Sequence, residues 1–166
     1  TKITGTFLDD AADSEIQAFY LVNPTTGAHS VVATHSGGGS PDAGLMVFSL
    51  YNVAQTNPIG AVDLLTATGV ADLNNSIITQ FANSWLLQGV ETDSGASVPN
   101  FSPDSGQTEE TDSIGGSGAG DYVQAGYYRA TTTAGTYNMD LTDTDAGQSN
   151  QVIIEVKVVG AATTTS

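Results

Sequence analysis

The chain has 166 residues, 39 % of them hydrophobic, no cysteine, and 18 acidic residues against three basic ones, for a formal net charge of −15. That length and apolar content suffice for a core without disulfide staples, which excludes a disordered chain and a cystine scaffold. The charge argues against phosphate backbones and anionic lipid headgroups as partners, and no apolar run approaches the roughly 18 residues that cross a bilayer.

The acidic residues are not abundant; the basic ones are scarce, being Lys2, Arg129 and Lys157 alone. Few tryptic sites suit an exposed life, and a chain that begins at Thr1 reads as a processed mature form. Extracellular or cell-surface placement is the expectation.

Period-2 patterning dominates. Ile3 to Leu8, Ile16 to Val22 and Ser30 to Thr34 read as the first three strands, separated by Asn23-Pro24-Thr25-Thr26-Gly27 and followed by Gly37-Gly38-Gly39-Ser40-Pro41-Asp42. Leu45 to Val53 is nearly all apolar, which predicts a strand buried on both faces. Asp72 as a cap, with Leu73, Ile77, Phe81 and Trp85 at four-residue spacing, predicts one short helix over 73–83. Residues 102–120 are rich in Ser, Gly, Asp, Glu and Thr and read as a surface loop. Tyr122 to Ala130 is an aromatic-rich strand. Thr136 to Leu141 alternates, with Tyr137, Met139 and Leu141 on one side. Val152 to Val159 does the same, with Val152, Ile154, Val156 and Val158 inward and Glu155 and Lys157 outward. A short polar tail, Thr163 to Ser166, ends the chain. The pattern predicts a single all-β domain over 1–166, an antiparallel β-sandwich of jelly-roll type.

Catalytic constellations are not found. His29 and His35 on one strand would stand roughly 20 Å apart, too far to share a metal. His35-Ser36-Gly37-Gly38-Gly39 has the look of an oxyanion segment, but the chain lacks the Gly-x-Ser-x-Gly elbow it would serve. The Gly115–Gly120 run precedes a strand, whereas a phosphate cradle needs a helix N-terminus. The chain reads as a non-enzyme.

Two acidic clusters are candidate metal sites, Asp140, Asp143 and Asp145, and Asp9, Asp10 and Asp13. Carboxylates so spaced at a strand end can share Ca²⁺, the one cofactor the sequence suggests, and the same spacing suits Asp as an ordinary turn residue. Trp85, Tyr122, Tyr127 and Tyr128 are candidate stacking residues for a sugar ring, and equally candidates for packing between sheets.

Ile3-Thr4-Gly5-Thr6-Phe7-Leu8-Asp9-Asp10, Glu15-Ile16-Gln17-Ala18-Phe19, Leu45-Met46-Val47-Phe48-Ser49-Leu50-Tyr51-Asn52 and Ala134-Gly135-Thr136-Tyr137-Asn138-Met139-Asp140-Leu141 together resemble pre-peptidase C-terminal-like domains. The closest likeness is to those of PEP-CTERM-type exported proteins. Asn52 stands where that family usually has Asp, and residues 55–120 have no counterpart in it. The resemblance implies an extracellular, non-catalytic jelly-roll sandwich that serves as an accessory or matrix domain.

Two functions fit. One is a structural subunit of a surface filament, sheath or matrix, a homopolymer held by β-strand contacts. Ile3, Phe7 and Leu8 are its candidate assembly residues, because the first strand either pairs in its own sandwich or inserts into a neighbour's. The other is a calcium-dependent module that binds polysaccharide or protein.

Overall fold

A computed structural model describes residues 1–9, 15–34, 44–93, 101–115, 122–144 and 147–160. Twelve strands are formed among them and no helix. They are β1 (Leu8–Asp9), β2 (Glu15–Ile16), β3 (Ile59–Thr68), β4 (Asp72–Leu73), β5 (Ser76–Ile78), β6 (Trp85–Asp93), β7 (Phe101–Pro103), β8 (Thr108–Gly115), β9 (Tyr122–Ala130), β10 (Thr136–Asn138), β11 (Leu141–Asp143) and β12 (Gln148–Val156).

The frame is a five-stranded antiparallel sheet in the order β3-β12-β6-β9-β8. On one face, Leu86 and Val90 of β6, Val123, Ala125 and Tyr127 of β9 and Ile153 of β12 bury against a second layer. That layer is the β4-β11-β7 sheet and the β5-β10 pair, which contribute Leu73, Leu141, Phe101 and Ile77, with Met139 between β10 and β11. On the other face, Val152, Ile154 and Val156 of β12 pack with Leu87 and Trp85 under the N-terminal segments that carry Ile3, Ile16, Ala18, Tyr20, Leu50 and Val53. The all-β, antiparallel, sandwich-like fold is as expected. Each large side chain so buried contributes roughly 1.5–3 kcal/mol, and three such clusters hold the layers together.

Four expectations are corrected. Residues 73–83 are not helical: Leu73, Ile77, Thr79 and Phe81 are buried while Asn74, Ser76, Ile78 and Gln80 are exposed, a period of two. Four-residue spacing satisfies a strand as well as a helix, and the polar inward residues Asn75 and Thr79 hide the alternation. Residues 45–53 are not buried on both faces, because Met46, Phe48 and Leu50 turn inward while Leu45, Val47 and Tyr51 are exposed. Residues 102–120 contain β7 and β8; β8 borrows its stability from β9 and, as an edge strand, carries Glu109, Glu110 and Asp112 in place of apolar residues. Finally, Glu155 points inward. β12 lies between β3 and β6 and is covered on both faces, so its alternation separates two interiors and not an inside from an outside.

Residues 30–34 also differ from expectation, since they are exposed and join no ladder among the described residues. The polar tail lies outside the described residues.

Candidate assembly surface

Between residues 16 and 62 the sequence has one charged residue, Asp42, so 17 of the 18 acidic residues lie elsewhere. Asp42 lies outside the described residues. From this stretch Ile16, Ala18, Tyr20, Leu50 and Val53 pack over the Val152 face of the main sheet, and Phe19, Leu21, Val31, Val32, Leu45, Val47 and Tyr51 are exposed. Val32 and Tyr51 are 81 % and 85 % exposed.

The layer is seated at two glycines that face each other across β6 and β9, Gly89 and Gly126. A Cβ on Gly126 would stand 2.9 Å from Phe48 Cζ and 3.3 Å from Met46 Sδ, and one on Gly89 would stand 3.1 Å from Met46 Cε and 3.6 Å from Ile16 Cδ1. The missing side chains leave a shallow trough that Met46 and Phe48 fill, with Ile16 beside them. Residues 44–50 nevertheless join no backbone ladder among the described residues. Pairing resumes only near Val53, which bridges Val158, with Ala54 N donating to Lys157 O at 2.9 Å.

The first segment is seated in its own chain. Lys2 bridges Phe19, Ile3 N donates to Ala18 O at 3.0 Å, and Leu8 pairs with Ile16. Ile3 is 5 % exposed in the core, Leu8 is half-buried, and Phe7 is exposed under the Lys2 ammonium at 4.9 Å. A buried clasp fixes the turn: Thr6 Oγ1 donates to Ile3 O at 2.8 Å, and Gln17 Nε2 donates to Thr6 Oγ1 and to Ala18 O.

The acidic clusters are only partly placed. Asp140 Oδ1 accepts Asn75 N–H at 2.8 Å, and Asp143, fully buried, accepts Ser149 Oγ–H at 3.2 Å. Asp145, Asp10 and Asp13 lie outside the described residues, as does the side chain of Asp9. No group of three His, Asp or Glu side chains gathers for a metal among the described residues.

The four aromatics do not form one platform. Tyr127 is fully buried on one face of the main sheet, whereas Trp85 and Tyr128 lie on the other and meet edge to face at 5.7 Å. The Tyr122 side chain is not among those described. His29 Nε2 hydrogen-bonds Thr25 Oγ1 at 3.0 Å, and His35 lies outside the described residues.

All three basic residues cover rings: Lys2 over Phe7, Arg129 over Tyr137 at 5.1 Å and Lys157 over Phe81 at 4.5 Å. Arg129 also donates to Asn138 O at 2.9 Å. Thr133 hydrogen bonds to the Tyr137 hydroxyl draw it below the ordinary tyrosine value. Three scattered cations make no basic patch. Among the described residues no helix is long and apolar enough to cross a membrane.

The signal that marks the surface was present in the sequence, as the run of 16–62 with a single charge. It goes unnoticed when charge is summed over the whole chain. The chain matches no protein-family model, no curated protein and no solved structure.

Proposed function

We propose that the protein is a non-catalytic structural subunit that polymerises outside the cell into a filament, sheath or matrix through β-strand contacts between copies. The observation that carries this reading is the neutral, apolar, exposed N-terminal layer on a chain of net charge −15. Two copies so charged repel unless they meet where the carboxylates are absent, and residues 16–62 supply that place. The resemblance to exported pre-peptidase C-terminal-like domains adds support for an extracellular setting. A polysaccharide-binding module has less in its favour, because Tyr127 is buried and the edge-to-face contact of Trp85 with Tyr128 turns the two rings toward each other.

Sedimentation velocity over a wide concentration range, with electron microscopy of the same samples, tests the proposal. Polymers are expected at high concentration. A monomer throughout would overturn it.

A further inference from the structure

We propose that residues 30–34 of one copy and residues 45–51 of a second copy complete each other as β-strands, an inference that rests on the assembly reading above. Ser30-Val31-Val32-Ala33-Thr34 is strand-prone by composition, yet it lies exposed and joins no ladder among the described residues. Val31 and Val32 are adjacent, so in a strand they face opposite ways and both sides need cover. The chain leaves both exposed.

Leu45 to Tyr51 is the complementary half. Met46 and Phe48 fix it on Gly89 and Gly126, while Leu45, Val47 and Tyr51 stay exposed and no ladder forms along 44–50 among the described residues. A segment held in place by its side chains, with its backbone outside any ladder among the described residues, is a template for a strand to pair with, as in β-augmentation.

A second copy is the occupant because of charge. Neither segment carries a charged residue, whereas the edge strands of the five-stranded sheet include Asp63 in β3 and Glu109, Glu110 and Asp112 in β8. Contact through those edges would set carboxylates of like-charged copies against one another. Donor and acceptor are different segments, so the contact is heterologous and open-ended, the geometry of a polymer.

The absence of cysteine makes a clean test possible. Val32→Cys and Val47→Cys are made separately in the full chain, mixed under polymerising conditions and oxidised. The mixed disulfide is expected to exceed either homodisulfide severalfold. A double variant that cross-links only within one chain, or homodisulfides in excess, would overturn the pairing. Polymers without any cross-link would overturn it too, while leaving the assembly reading intact; a monomeric wild type removes both. A second arm uses Val47→Lys with an unchanged melting temperature. It is expected to lose polymer at least tenfold, while Ile78→Lys, at an equally exposed apolar site elsewhere, keeps it. Undiminished polymer with Val47→Lys sinks the proposal.

Discussion

Glu155 has no exposed surface, and its carboxylate is saturated by donors from three places in the chain. Oε2 accepts the N–H groups of Ala61 and Gln80, and Oε1 accepts Phe81 N–H and Ser84 Oγ–H, all at 2.9 Å. A carboxylate offers only acceptors and the three backbone N–H groups offer only donors, so the match depends on the residue type. It ties the 79–84 turn and β3 to the central strand. Gly60 is needed beside it, because a Cβ there would run into the carboxylate. Glu155→Gln replaces one oxygen with an NH₂ that points donors at donors. It is expected to cost about 3 kcal/mol, since buried groups bonded to a charge lose both a strong bond and their only partner. Urea unfolding measures this, and a cost below about 1 kcal/mol would show that the carboxylate is not the tie. Ser84 adds a second knot by exchanging hydrogen bonds with Thr131, whose N–H returns to Ser84 O.

At the scale of elements, residues 44–50 join no backbone ladder among the described residues and are seated by their side chains, while hydrogen bonds resume at Asn52 and Val53. Gly126→Ala would push against Phe48 Cζ and Met46 Sδ, an overpacking that typically costs about 1–3 kcal/mol. Phe48→Ala alone loses burial. Together they relieve one another, so a double-mutant cycle is expected to show a favourable coupling of about 1 kcal/mol. Strict additivity would mean that the segment is not seated on these glycines. The same element shows how far sequence reasoning reached. A run of Leu, Met, Val, Phe and Leu looks the same whether one side or both are covered. β9 was legible from its aromatic-rich run, and part of β12 from the alternating Val152, Ile154 and Val156. β6 was not, because Gln88 and Gly89 interrupt its apolar run at positions where the interior happens to be polar or to need space. Gln88 Nε2 donates to Met139 O at 2.6 Å, and Gln151 Nε2 reaches the same oxygen at 3.2 Å. Composition alone cannot mark such buried amides as core. The proposed assembly surface was half-legible: 30–34 and 45–51 read as strands, but that 30–34 and 44–50 join no ladder among the described residues depends on the fold.

For the whole molecule, 18 carboxylates against three cations mean self-repulsion in the compact state. Raising ionic strength from 0.01 to 0.1 M shortens the screening length from about 30 to about 10 Å, less than the width of the domain. The melting temperature should therefore climb with NaCl over that range. Calcium is the informative comparison, at matched ionic strength, because screening and a specific site then separate. A site bound only in the folded state and present at a hundred times its Kd adds about 2.7 kcal/mol, which for a domain of this size is roughly 5–10 °C. Asp140 and Asp143 already accept hydrogen bonds from Asn75 and Ser149, and Asp143 is fully buried, so opening either to a cation would cost existing bonds. The expected result is that CaCl₂ and NaCl give the same rise to within a few degrees. An excess of 5 °C or more with CaCl₂, abolished by Asp143→Asn, would overturn this and place a calcium site at the β11 end of the second layer.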